Sequence, residues 1–263
     1  MQIQDYVRPS SLDEAYSLLK ERKALVIGGG AWTRMNTRSV DLAVDLSGLD
    51  LRYIKEKGKR FEIGAMTTAR DLETNAELEK AFGGIIAEAV RHIVGVQLRN
   101  IITVGGTVFG RYGFSDLLTA LLALDARVVF HDGTETKIEE FLGSRSSEPM
   151  LIEKIVIDND GRKGAYSAVR HNRTDFSILN AAAVYAGNGW RVAVGARPGS
   201  ARLSEKAAET LKGAQKVDAD TARKAGEAAA EELSFGDDQR STGDYRKSVC
   251  SVIIKRAVEE VQR

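Results

Sequence analysis

The chain has 263 residues and a mass of 28.6 kDa, enough to bury a substantial core in one large domain or in two to three small ones. Its 38 basic side chains against 37 acidic ones leave a net charge of +1, so no global field draws nucleic acid or an anionic membrane. The single cysteine, Cys250, excludes an internal disulfide and an iron–sulfur cluster ligated by this chain alone.

In chain order, the first predicted element is an amphipathic helix after Pro9-Ser10-Ser11. Ser11 and Glu14 have capping-box spacing, and Leu12, Ala15, Tyr16 and Leu19 share a face. Strands at 24–27 and 42–46 follow, giving a small α/β unit. Residues 52–55 and 61–65 flank Glu56-Lys57-Gly58-Lys59-Arg60, which reads as a hairpin. Residues 67–72 and 77–90 read as helical, interrupted at Gly83-Gly84. After Thr107 the segment Val108 to Phe114 has no clear period, and Ser115-Asp116-Leu117 opens an apolar helix reaching Leu124. Strands at 127–130 and 134–138 join around Asp132-Gly133, and another covers 153–157. The polar run Asp158 to Gly164 replaces the periodic pattern and marks a domain boundary. Beyond it come strands at 166–169, 176–185 and 190–194, then helices at 204–212, 218–233 and 244–262, an α+β arrangement. No basic stretch followed by an apolar one opens the chain. The longest apolar stretches, near 117–124 and 178–186, are too short to span a bilayer, so a soluble cytoplasmic protein without a membrane partner is expected.

Two glycine-rich stretches carry the chemistry. They are Leu25-Val26-Ile27-Gly28-Gly29-Gly30-Ala31-Trp32-Thr33 and Leu98-Arg99-Asn100-Ile101-Ile102-Thr103-Val104-Gly105-Gly106-Thr107. In each, an apolar run of strand type delivers the backbone to adjacent glycines, where main-chain N–H groups can approach an anion. Two such stretches converging would clamp the phosphates of one dinucleotide. The first alone also reads as a tight turn after a strand. A Rossmann reading needs a helix opening on the last glycine, whereas Asn36-Thr37-Arg38-Ser39 reads as loop.

Asp116 reads on sequence as the cap of the helix opening at Leu117, a role that can coexist with ligand binding. Thr67 and Thr68 read as N-cap residues. Arg99 is either a surface charge or a partner for pyrophosphate, and Ile102 and Ile152 read as core. His92, His131 and His171 are scattered, with no metal-ligand spacing and no triad, so neither a metal nor a catalytic residue is assigned.

These stretches resemble the FAD-binding, or medium, subunit of the xanthine dehydrogenase and carbon monoxide dehydrogenase family of molybdenum hydroxylases. Residues Asp5 to Ala15 resemble the family's start, and Ile27-Gly28-Gly29-Gly30 resembles its Ala-Gly-Gly loop. The run from Arg99 to Thr107, followed by Ser115 to Ala126, is similar to the family's Arg-Asn, Thr-Ile-Gly-Gly-Asn and Asp-Leu-Leu-Pro-Ala-Leu-Leu-Ala-Leu-Asp-Ala run. Val192 to Pro198 with Lys212-Gly213, and Ser241 to Val258, look like its C-terminal flavoprotein domain. Thr107 stands where the family has asparagine, and Gly30-Ala31-Trp32 where it has a more polar triplet.

The resemblance implies an α+β fold: a vanillyl-alcohol-oxidase (PCMH) type FAD-binding fold of two α/β subdomains plus a C-terminal carbon monoxide dehydrogenase flavoprotein-like domain, with divisions at 1–55, 56–160 and 161–263. It implies FAD held by Ile27, Gly28, Gly29, Gly30, Ala31, Trp32, Thr67, Arg99, Ile102, Thr103, Val104, Gly105, Gly106, Thr107, Asp116 and Ile152, the two isoleucines beside the isoalloxazine. It also implies a heterotrimer, or its dimer, with a [2Fe-2S] subunit and a molybdopterin-binding subunit. Electrons would pass through this FAD to NAD or another acceptor, xanthine dehydrogenase-like in the first reading. Alternatives are the FAD subunit of an aldehyde, carbon monoxide or heterocycle dehydrogenase, or a nucleotide-binding assembly factor without redox activity.

Overall fold

The computed structural model describes residues 2–33, 39–144, 146, 148–187, 189–214 and 216–263; the loop expected at Asn36, Thr37 and Arg38 lies outside them. The elements are β1 (Gln2–Val7), α1 (Leu12–Glu21), β2 (Ala24–Ile27), β3 (Ser39–Asp45), β4 (Ile54–Lys57), β5 (Arg60–Gly64), α2 (Ala69–Thr74), α3 (Ala76–Phe82), α4 (Ile85–Arg91), α5 (Val96–Arg99), α6 (Val104–Gly110), α7 (Asp116–Ala123), β6 (Arg127–Phe130), β7 (Glu135–Lys137), α8 (Ile138–Gly143), β8 (Ile152–Asp158), β9 (Lys163–Val169), β10 (Leu179–Ala186), β11 (Gly189–Gly195), β12 (Arg202–Leu203), α9 (Glu205–Thr210), α10 (Ala219–Glu232) and α11 (Gly243–Val261). They form two compact units. One comprises Met1–Asp71, Val96–Gly110 and Arg127–Asp158, and the other Leu72–Gly95, Arg111–Ala126 and Asn159–Arg263.

In the first unit, β1, β3 and β2 make a parallel sheet in that order. β1 is an edge strand whose exposed, polar-rich sequence hides it from a periodicity reading. Helix α1 forms where its cap and its apolar face agree. The Ser11 hydroxyl accepts from the Glu14 N–H at 3.1 Å, which satisfies an orphan donor of the first turn, and the Glu14 carboxylate reaches back to the N–H of Ser10, the residue before the cap, at 2.7 Å. Its buried Ala15 joins Leu42, Val44, Leu46, Leu51 and Leu151 in one apolar cluster. The second sheet is antiparallel, ordered β4-β5-β8-β6-β7. Gly58, at φ +60°, turns the expected hairpin between β4 and β5.

In the second unit the antiparallel sheet runs β12-β11-β10-β9. Every residue of β10 from Leu179 to Val184 is buried, and Ala181 to Val184 are apolar without alternation because both faces are covered. Leu179, Ala181 and Ala183 pack with Val192 and Val194 against α10 and α11. On the opposite face Asn180 accepts the Thr119 hydroxyl of α7 at 2.7 Å. Arg246, wholly buried in α11, donates to the carbonyls of Ile178, Gly236 and Ser241 and pairs with Asp238 at 2.6 Å. Burial alone would raise the Asp238 carboxyl; Arg246 and the N–H groups of Arg240 and Ser241 outweigh it and hold the group well below the usual carboxylate range.

The structure corrects the expectation of a strand leading into the second glycine stretch. Val96–Arg99 is a helical turn, and α6 covers Val104–Gly110, including residues that showed no period. Tertiary hydrogen bonds decide this against β-branched propensity: the Val104 N–H donates to the Thr67 carbonyl at 2.9 Å and the Gly105 N–H to the Ala65 carbonyl at 2.8 Å. The short helix α8 also lies where only strand and loop were expected.

Candidate functional site

The two glycine stretches meet within the first unit. Strand β2 ends at Ile27, paired with Asp45, so the loop 28–33 leaves the carboxyl edge of the parallel sheet, where open α/β sheets bind ligands. Gly29 lies so close to the second stretch that a Cβ on it would stand 1.3 Å from the Ile101 carbonyl oxygen. No other residue fits there. Beside it, a Cβ on Gly28 would come within 2.7 Å of the Thr103 hydroxyl. Gly30 adopts φ +75°, turning the chain away from the sheet.

Thr103 is the pivot of this contact. It is 5% exposed, forms a bridge with Thr68, and its hydroxyl accepts the Gly106 N–H at 3.3 Å while its carbonyl accepts the Thr107 N–H at 3.0 Å. The first turn of α6 is therefore satisfied inside the chain by Thr67, Ala65 and Thr103. This corrects the expectation that the amides of both stretches are free for an anion. The first loop differs, because the N–H groups of Gly29, Gly30 and Ala31 donate to no described residue. Among the described residues free amides come from the first stretch; the second supplies one exposed position without a side chain, Gly106, while Gly105 is buried against Ala65.

The remaining residues expected at the site occupy varied surroundings. Thr67 is 1% exposed and donates its hydroxyl proton to the Tyr53 carbonyl at 2.7 Å. Arg99 is buried on α5, which removes the surface-charge reading. Ile102 is half-buried and its carbonyl accepts the Ala69 N–H; Ile152 is buried at the start of β8; Trp32 is exposed. Val104 is buried and Thr107 half-buried. The amides at Gly29–Ala31, unpartnered among the described residues, and the open side of Gly106 suit the diphosphate of a dinucleotide.

Asp116 belongs to the second unit, and its surroundings differ from the expectation. Ser115, not Asp116, caps α7, its hydroxyl accepting from the Leu118 N–H at 3.4 Å. The Asp116 carboxylate is buried among the chain's own donors. Its Oδ1 accepts from Tyr166, from Ser177 and from Asn180 at 2.8 Å, and its Oδ2 pairs with buried Arg170 at 2.9 Å. Burial and this carboxylate push the Tyr166 phenol well above its ordinary value. Sequence reading missed all four partners. The one signal was Asn180, a polar residue inside an apolar strand.

Among the described residues no cluster of His, Cys, Asp and Glu could hold a metal, and no helix is long and apolar enough to cross a membrane. Cys250 is buried, and burial pushes its thiol up to about 12.

The chain matches known families and folds. Residues 1–158 match the family described as the FAD binding domain in molybdopterin dehydrogenase, and residues 164–261 match the carbon monoxide dehydrogenase flavoprotein C-terminal domain. The chain is 25% identical to YgfM of Escherichia coli K12, over 99% of this chain and 97% of that one. It is 25% identical to the glyceraldehyde dehydrogenase medium chain of Sulfolobus acidocaldarius, over 97% of each. In fold it resembles quinoline 2-oxidoreductase from Pseudomonas putida 86, with a TM-score of 0.88, 21% identity, and coverage of 98% of this chain and 96% of that chain.

Proposed function

The chain belongs to the FAD-binding subunits of the molybdenum hydroxylases, and from that premise we propose that it relays electrons from a [2Fe-2S] partner subunit through FAD to NAD or another soluble acceptor. The observation that carries this reading is the contact of Gly29 with the Ile101 carbonyl, which joins a loop whose amides are free among the described residues to the stretch that exposes Gly106. Gly29, Gly30 and Ala31 would hold the diphosphate through their N–H groups, with Gly106 leaving room beside it. Thr103 keeps the two stretches in register. Ile102 and Ile152 would supply an apolar wall that limits water. FAD, when bound, supplies the one- and two-electron chemistry, and the protein contributes orientation and electrostatics.

The single cysteine supports a partner that brings the iron–sulfur cluster, and a molybdopterin-binding subunit would carry the substrate pocket. A xanthine dehydrogenase-like complex with a purine-type substrate is the first reading. The medium chain of glyceraldehyde dehydrogenase among the relatives supports an aldehyde as the second.

Gly106→Leu tests the site. A Cβ at Gly106 meets only the Thr103 hydroxyl, at 3.0 Å, so the fold has room while the ligand-facing surface does not. The variant should keep the wild-type circular dichroism and lose the flavin absorbance. A folded variant with full FAD occupancy would sink the reading, as would a wild-type chain that stays colourless after incubation with FAD.

A further inference from the structure

A cleft of about 400 Å³ lies within the second unit, between α4 and the turn that follows β9, lined by Glu88, His92, Tyr166, Arg170, His171, Asn172 and Arg173, with His171 Nε2 held 2.7 Å from the Arg240 carbonyl. Its charges are unevenly matched. Glu88, the one carboxylate lining it, is already engaged by Arg91 at 3.0 Å and by His92 Nε2 at 3.5 Å. Arg170 is paired with Asp116 at 2.9 Å and donates to the Asp175 carbonyl at 2.7 Å. Arg173 has no carboxylate partner among the described residues. Its one polar contact is Nε–H to His92 Nδ1, at 3.5 Å.

That contact constrains the imidazole. A guanidinium only donates, so Nδ1 must be the acceptor and the ring must be neutral, with its proton on Nε2 toward Glu88. Protonated His92 would set two donors against each other. The surroundings push the same way: burial lowers the His92 pKa and the positive charges of Arg170, Arg173 and Arg91 add to it, against the opposing pull of Glu88. Histidine and arginine thus hold each other in a state that an anion would undo. A ligand that draws Arg173 away frees Nδ1 and compensates the local positive charge.

We propose that this cleft is an oxyanion site, in which a compact dianion is taken by Arg173 and the Asn172 side-chain amide while His92 takes one proton from solvent and pairs with Glu88. A phosphoryl group or a dicarboxylate has the required charge. The site does not depend on the flavin reading, and a colourless chain would leave it standing.

Sulfate, a dianion across the whole histidine range, is the probe, added to the full chain in chloride buffer between about pH 5.5 and about pH 8.5. The three histidine ring signals are followed by NMR, that of His92 identified by its loss in His92→Gln, with His131 of the other unit as internal reference. Sulfate should raise the His92 pKa by about one unit, and by reciprocity it should bind about tenfold tighter at the acid end. Because the pKa rises on binding, affinity is greatest below the free-state pKa and falls as pH climbs through the bound-state value. Arg173→Gln should abolish the response, and His92→Gln should keep sulfate binding but lose this pH dependence. A His92 titration unmoved by saturating sulfate, or sulfate binding unaltered in Arg173→Gln, would overturn the proposal. Competition by a phosphate monoester against succinate names the group: the stronger competitor is the chemistry the site takes, and displacement by neither overturns the site.

Discussion

Around Gly29 the chain removes side chains so that two stretches of main chain can meet, whereas around Asp116 it packs five polar side chains together. In the first region backbone meets backbone, the Gly29 main chain against the Ile101 carbonyl; the second concentrates an aspartate, an arginine and a high-pKa phenol. The difference is one of tolerance. A backbone surface fails when atoms are added, and a buried polar cluster fails when atoms are taken away.

The sharpest test of that contrast is Asp116→Ala. It leaves Arg170 and three hydroxyl or amide donors buried without their acceptor, and should cost about 3–5 kcal/mol, read as a lower urea midpoint. A loss below about 1 kcal/mol would show that the cluster is wetter than its burial suggests. Gly29→Ala comes next. Its methyl must displace the Ile101 carbonyl, so about 1–3 kcal/mol should be lost together with bound FAD, in contrast to Gly106→Leu, which should lose FAD alone.

Acid should act on a third place, the pair of Asp238 with buried Arg246. The folded Asp238 pKa is depressed, so its stabilisation is complete above the unfolded value of about 3.9 and drains away as pH falls toward the folded one. The stability of Asp238→Asn should therefore slope less with pH below about 4, and equal slopes would remove Asp238 from the account. Thr103→Val removes the hydroxyl that accepts the Gly106 N–H and should cost about 1 kcal/mol with partial loss of FAD affinity, measured by flavin fluorescence titration. The smallest effect belongs to Cys250, which should resist thiol reagents at neutral pH until the protein unfolds, because only the thiolate reacts and burial suppresses it.

Local signals were read where one short segment settles its own conformation. The Ser11 cap with its Glu14, the Gly58 hairpin and the break at Gly83-Gly84 all act within a few residues, and all stand where sequence places them. β1 escaped because an exposed edge strand needs no apolar alternation. At Ile101 to Val104, β-branched residues read as strand, yet the carbonyls of Ala65 and Thr67 draw the segment into a bend and a helix start.

The sequence by itself determined the family, the elements with strong local periodicity and the glycines, since a missing Cβ is written in the residue type. Only the tertiary structure decided what those glycines touch, which amides remain free, and that Asp116 is held by Tyr166, Arg170, Ser177 and Asn180. Hydrogen bonds between distant segments depend on where packing brings them, and no local spacing encodes that meeting.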